Sequence, residues 1–318
     1  MDFGGFLGND SLKNRLTAAE RAGKMSHSYL ISGPEGSGKR TLARTLAAAL
    51  QCTSSGEKPC RQCAQCRKVL ADVHPDVVVV DDPEKKTVRV ELSRWAKTDL
   101  YIRPNEGRKK IYLFPRAQDM NPSAQNAMLK VMEEPPEYGV FLLLADRAES
   151  LLTTVRSRCV ELSLSPVGEA EALPFLRQQF PQTEKDALRA AFSRSGGFVG
   201  QAMALLQNGG ARDERAEAMA AAFAAGDRLT MAGTLCKMEK LKREQLLPIL
   251  RQTQELVAEA LSVKARRCPA AGAVRLLAEQ KTAAVLLQAY KDLQRAMDAA
   301  NANVGVGHVC GFLASRLR

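Results

Sequence analysis

Ser28-Tyr29-Leu30-Ile31-Ser32-Gly33-Pro34-Glu35-Gly36-Ser37-Gly38-Lys39-Arg40-Thr41 is the stretch that decides the fold. A short apolar run ends in a glycine-rich turn, and Arg40–Gln51 follows with the Ala and Leu spacing of a helix. A glycine loop with a lysine, set between strand and helix, is the context of a phosphate-binding P-loop. The glycines let backbone N–H groups approach a phosphate. The helix N-terminus adds partial positive charge, and Lys39 reaches toward the β- and γ-phosphates. The pattern asks for Ser or Thr directly after the lysine, to hold magnesium. Arg40 stands there, and Thr41 comes one residue late. A guanidinium only donates hydrogen bonds and cannot ligate a cation. Gly33 to Thr41 are therefore candidate contacts for ATP or ADP in a site that lacks a metal ligand. The other reading is a loop that keeps this shape and binds nothing.

Outward from the loop, Val77–Val80, Ile111–Phe114, Val140–Leu144 and Val160–Leu164 read as further strands, the first of them buried. Ser123–Glu134 has helical periodicity and is stopped by Pro135-Pro136. Strands alternating with helices predict an α/β domain over 1–165, a parallel sheet flanked by helices. After Pro166 the strands cease. Glu169–Phe180, Glu184–Ser195 and Gly200–Leu206 read as helices, the second closed by Gly196-Gly197 and the third by Asn208-Gly209-Gly210. From Arg212 onward the spacing is helical throughout. The expected partition is 1–165, a small helical lid at 166–210, and an all-α C-terminal domain at 211–318.

An ATP-hydrolysing P-loop protein needs an acid at the end of a later strand to hold Mg²⁺. The best strand is Ile111–Phe114, and Pro115-Arg116-Ala117-Gln118-Asp119 follows it. Pro115 and Arg116 occupy the places of the acids. Asp119 is expected at the next helix entrance. Asp81 and Asp82 are a fallback pair, read first as a solvated turn before Pro83.

Four of the eight cysteines, Cys52, Cys60, Cys63 and Cys66, fall within residues 52–66. Short Cys-x-x-Cys steps wrap a chain around one tetrahedral ion, so the four are candidate ligands of a structural zinc with no open position. Thr53–Pro59 reads as the loop that such an ion would staple. A redox pair ranks behind zinc. Cys159, Cys236, Cys268 and Cys310 are scattered. His27 and His74 flank apolar strands and read as packed histidines, and His308 near Cys310 is a weak metal pair.

The chain has 318 residues, with 46 Lys and Arg against 35 acidic residues, a net charge of +11. That balance favours a polyanionic partner. Aromatics make up 5% and Trp95 is the single tryptophan, which speaks against a stacking platform for single strands. No apolar run is long enough to span a membrane and the N-terminus lacks a secretory pattern, so the expected location is the cytoplasm.

In order along the chain come the phosphate loop, the four-cysteine insert, His74-Pro75-Asp76, Asn126-x-x-Leu129-Lys130-x-x-Glu133-Glu134-Pro135-Pro136 and Ser157-Arg158-Cys159. Leu7-Gly8-Asn9 and His27-Ser28-Tyr29-Leu30 precede or overlap them. Over residues 1–205 this resembles the clamp loader of bacterial DNA polymerase III, within the AAA+ superfamily. The resemblance implies an AAA+ fold, other loader subunits (gamma/tau and delta) in a hetero-pentamer with a helical collar, and action on primed DNA and the sliding clamp. ATPase subunits of that family carry the Ser/Thr, the acidic pair and a lid arginine. Arg40, Pro115-Arg116 and Gly200 replace all three here, so the likeness is to the delta-prime branch, which does not hydrolyse ATP, rather than to gamma/tau. The family's Ser-Arg-Cys motif implies that Arg158 is an arginine finger for a neighbour's ATP. Arg156 is an adjacent candidate, and an ordinary surface salt bridge is the alternative role. Two other readings stay open. One is an active ATPase using Asp119 or Asp81, and the other is a free nucleic-acid-binding module.

Overall fold

The computed structural model describes residues 1–82, 90–207, 213–266, 272–302 and 304–317. Pro83, Cys268 and the predicted stop at Asn208-Gly209-Gly210 lie outside these residues. The chain separates into two units, Met1–Gln207 and Asn208–Arg318.

The first unit opens with α1 (Asp10–Arg21), β1 (Ser28–Ser32), α2 (Lys39–Gln51), α3 (Ala64–Leu70), β2 (Val77–Val79) and α4 (Val90–Asp99). It continues through β3 (Lys110–Phe114), α5 (Pro122–Glu133), β4 (Gly139–Ala145), α6 (Thr153–Arg156) and β5 (Val160–Ser163), and ends in α7 (Glu169–Gln179), α8 (Lys185–Arg194) and α9 (Val199–Gln207). The strands form one parallel sheet in the order β2-β3-β4-β1-β5. This is the α/β class expected from the sequence, a parallel sheet flanked by helices with the glycine loop after β1.

The period-2 alternation of strands divides the core. Tyr29, Ile31, Ile111, Val140, Leu142 and Leu144 pack on one face with Leu42 and Leu46 of α2. Leu30, Tyr112, Phe114, Phe141 and Leu143 pack on the other with Met128 and Met132 of α5. Their near-complete burial explains why these strands read as continuous apolar runs. β2 differs from the buried strand expected at Val77–Val80. It is the sheet's edge, and Val79 is 55% exposed. Its β-branched residues suit an extended strand, but that preference does not report which side is covered.

α5 starts where its residues dictate. The Asn121 side chain accepts the Ala124 N–H, and Pro122 takes the first helical turn, where its missing N–H costs nothing. The lid helices α7 to α9 have a small core of their own, Ala172, Leu176, Leu188, Phe192 and Ala202.

The second unit is α-helical, from α10 (Glu214–Ala225) and α11 (Arg228–Met238) through α12 (Arg243–Arg266) and α13 (Gly272–Gln280) to α14 (Ala283–Asn301) and α15 (Val306–Arg316). Met219, Phe223, Leu250, Leu256, Leu277, Leu293 and Leu313 lie in its core. Among the described residues, no helix is long and apolar enough to cross a membrane.

Candidate functional site

The phosphate loop lies at the C-terminal end of β1, between β4 and β5. Crevices at such points of strand order take ligands in open α/β sheets. Gly36 and Gly38 have φ of 73° and 94°, left-handed values that give the loop its curl. Gly38 is the N-cap of α2 and no side chain caps that end, so the first N–H groups of α2 point into the loop unanswered. A cavity of about 700 Å³ opens there, lined by Pro34 to Thr41, Pro115, Arg116 and Asp146, with Phe6, Phe175 and Met203 on its apolar side.

Lys39 Nζ donates to the Gly33 and Pro34 carbonyls and lies 2.8 Å from Asp146 Oδ1. Asp146 follows β4 directly. The signal for it in the sequence is an acid ending an apolar strand, Ala145-Asp146, and the sequence reading did not use it. Arg40 and Thr41 are exposed at the start of α2.

The C-terminal end of β3 is followed by a guanidinium engaged by carboxylates. Arg116 donates to Asp81 through Nε at 3.0 Å and Nη2 at 2.7 Å, and Nη2 also donates to the Asp82 carbonyl at 2.7 Å. Its Nη1 lies 3.6 Å from Asp119 Oδ2. The Asp81 turn is therefore not the solvated turn expected: the Asp81 side chain is only 14% exposed and is engaged by a guanidinium. Burial, with Asp146 and Asp81 nearby, holds the Asp119 carboxyl above its ordinary range despite Arg116. Of the fallback pair, Asp81 is engaged through its carboxylate, and Asp82 meets Arg116 only through its backbone carbonyl.

The lid sits on the loop. The Gly200 N–H donates to the Gly36 carbonyl at 2.9 Å, and Gln201 Nε2 donates to the Glu35 carbonyl at 2.7 Å. A Cβ on Gly200 would stand 2.6 Å from the Gly36 carbonyl oxygen. Glycine at position 200 is thus a packing requirement. Near the lid, the Gly8 N–H donates to Glu171, and the Asn9 side chain accepts the Ser165 N–H, which explains the Leu7-Gly8-Asn9 motif as a tie between the N-terminus and the start of the lid.

At the far end of α2, the ligand atoms of Cys52, Cys60, Cys63 and Cys66 all lie within 4.8 Å of one another. Tetrahedral thiolates at about 2.3 Å from zinc are about 3.8 Å apart, so the four fit that ion. Cys52 caps α2, and Cys63 caps α3, its sulfur accepting the Cys66 N–H. Burial opposes the Cys63 thiolate, but hydrogen bonds from Thr53 and from the Cys66 N–H outweigh it and bring the thiol down to about 6. Burial pushes the Cys66 thiol up. Among the described residues no other group of metal-ligating side chains comes together; His308 is exposed while Cys310 is buried.

The His74-Pro75-Asp76 motif ties this module to the sheet. His74 Nδ1 accepts the Asp76 N–H at 3.0 Å, which leaves Nε2 to donate to Gln65 Oε1 on α3 at 2.6 Å. Asp76 accepts the N–H groups of Asn105, Glu106 and Gly107. Gln51 Oε1 accepts those of Arg108 and Lys109. His27, read as packed, places Nε2 3.0 Å from the Met132 carbonyl.

Arg158 follows α6, away from the loop. It pairs with Glu133 through Nε, at 2.8 Å, and Nη2, and Nη1 donates to the Thr154 carbonyl at 2.8 Å. Glu133 is 48% exposed. Arg156 pairs instead with Glu161 at 2.9 Å.

Residues 8–168 match the family model described as DNA polymerase III, delta subunit. The chain belongs to the DNA polymerase III delta-subunit family. Over 225 residues it is 33% identical to Escherichia coli DNA polymerase III subunit delta', with 70% of this chain and 67% of that one aligned. It is 35% identical to the Pseudomonas aeruginosa subunit delta' over 60% of this chain, and 28% identical to the Buchnera aphidicola (Schizaphis graminum) subunit gamma over 64%. These last two alignments take in 59% and 56% of the relatives' lengths, less than two thirds of each.

Proposed function

We propose that this chain is the non-hydrolysing, delta-prime subunit of the bacterial DNA polymerase III clamp loader, and that it donates Arg158 to ATP bound on a neighbouring subunit. The Arg116–Asp81 pair carries the reading. Where a hydrolysing relative would present acids to a metal, this chain presents a guanidinium already engaged by the nearest carboxylates. Arg158 has the complementary properties. It lies outside the chain's own phosphate site, and its carboxylate partner is half solvated, so a γ-phosphate can replace Glu133 at little cost. A guanidinium arriving there neutralises the charge that develops in phosphoryl transfer. The similarity to gamma chains favours a second reading, a gamma/tau-like ATPase of the same loader; Arg40 and Arg116 oppose it.

In this reading residues 1–165 form the AAA+ domain, 166–210 its lid, and 211–318 a collar that joins gamma/tau and delta subunits in a hetero-pentamer. The net charge of +11 suits shared contact with the backbone of primed DNA as the sliding clamp is loaded. The four cysteines hold a structural zinc, and a cytoplasmic location follows from the loader's task.

Two measurements test the role. The isolated chain is expected to show no ATP turnover above background, and turnover that disappears in Lys39→Ala refutes the non-hydrolysing reading. In a reconstituted loader, Arg158→Ala is expected to lower DNA-stimulated turnover at the site it serves by about 10³-fold, with assembly unchanged on gel filtration. An unaltered rate removes the finger role. Zinc is checked by elemental analysis of protein purified without chelator, with one ion per chain expected.

A further inference from the structure

Arg158 is stowed on its own chain. Its Nε and Nη2 converge on the same oxygen of Glu133, and its Nη1 donates to the Thr154 carbonyl at 2.8 Å and to Ser157 Oγ at 3.2 Å. Each guanidinium nitrogen thus has an acceptor close by. A guanidinium offers donors alone, so to meet a phosphate elsewhere it must first leave these acceptors.

Other contacts fix the frame around this pair. Gln125, buried near the start of α5, donates to the Met120 carbonyl at 3.0 Å and accepts the Leu152 N–H at 2.8 Å, which sets the entrance of α6 against α5. His27 Nε2, 3.0 Å from the Met132 carbonyl, ties the last turn of α5 to the chain just before β1. Val131 and Met132, next to Glu133, and Val155, three residues before Arg158, are buried in one core cluster. Glu133 adds nothing to that frame. It is half exposed, and among the described residues its side chain bonds Arg158 alone.

We propose that Glu133 is a latch: it holds Arg158 on its own chain and restrains turnover at the neighbouring site until the phosphate there competes for the guanidinium. The proposal rests on the finger reading of Arg158. Glu133 is a positioning residue in it, acting only through Arg158. A carboxylate and a phosphate offer a guanidinium the same kind of charged acceptor, so the two compete for one side chain. An exposed pair of this kind shifts an equilibrium by about two- to fivefold, which makes the latch a brake and not a block.

ATP turnover of the reconstituted loader, with and without primed DNA, is the test. Glu133→Gln keeps the shape of the side chain and removes its charge. It is expected to raise the DNA-free rate about two- to fivefold, so that the stimulation by DNA shrinks. Glu133→Ala, at the same half-exposed position, is expected to give a gain of similar size. In the double variant Glu133→Gln with Arg158→Ala the gain is expected to vanish, which a merely structural role for Glu133 would not produce. A DNA-free rate that is unchanged or lowered in either single variant overturns the proposal, as does a gain that survives the loss of Arg158. The two readings fail distinguishably. A silent Arg158→Ala removes the finger and the latch with it, whereas an effective Arg158→Ala beside silent Glu133 variants removes the latch alone.

Discussion

Arg116 and Arg158 are the same side chain in two settings. Each makes a two-pronged contact with one carboxylate and a further hydrogen bond to a backbone carbonyl. They differ in the partner. Asp81 is mostly buried and lies in a turn beside the chain's own phosphate loop, with Asp119 completing the enclosure. Glu133 is half exposed at the end of α5. The first arginine is committed inward, and the second is held by a partner that water can replace. How firmly each arginine is held is thus set by the burial of its counter-ion rather than by its own geometry.

The largest expected effect of that contrast is on stability. Arg116→Ala strands Asp81 and Asp119 in a partly buried place and is expected to cost about 2–3 kcal/mol. Arg158→Ala is expected to cost no more than about 1 kcal/mol, because its pair is solvated. Urea unfolding of the two variants measures both, and equal losses break the comparison.

A slightly smaller loss is expected for Gly200→Ala. Its Cβ would meet the Gly36 backbone at 2.6 Å, so the lid must shift off the loop, at a cost of about 1–3 kcal/mol. Limited proteolysis within residues 166–207 reports the detachment. An intact, equally resistant lid would show that loop and lid yield to each other freely, and that the inward side is softer than the Arg116 pair suggests.

The smallest effect is a pH dependence on the inward side. Burial pushes the Asp76 carboxyl up, but three backbone N–H groups outweigh it and hold it below its ordinary value of 3.8. A carboxyl depressed in the folded state stabilises above its unfolded value, and that contribution is lost as pH falls through the folded one. Burial likewise holds the His74 imidazole below 6.5, so its protonation opposes folding and stability starts to fall below that pH. The difference in melting temperature between the native chain and Asp76→Asn is therefore expected to narrow below about pH 4. A constant difference across that range would show that Asp76 acts only through shape.

β1, the loop and α2 were legible because their signals are local, whereas α1 was not read. An apolar run, a glycine turn and an Ala-rich helix each occupy adjacent residues. The cysteine tetrad was legible for the same reason, since its spacing carries the geometry. What stayed hidden was long-range. Asp81 read as a solvated turn because its partner, Arg116, is 35 residues away. Val79 read as buried because β-branched residues mark a strand and not its place at the sheet's edge. Gly200 read as a missing arginine, while its contact with Gly36 needs the lid folded back over the loop. His74 and Asp76 read as a motif without a mechanism until the loop that they hold was in view.

That loop has its own consequence. Residues 105–109 carry no helix or strand, yet their five successive N–H groups end on two buried side chains, three on Asp76 and two on Gln51. In an amide-exchange experiment such protons wait for the core to open before they meet solvent. A surface loop beside the cysteine module would then keep its deuterium-free state as long as the sheet does, and would lose it in step with the sheet.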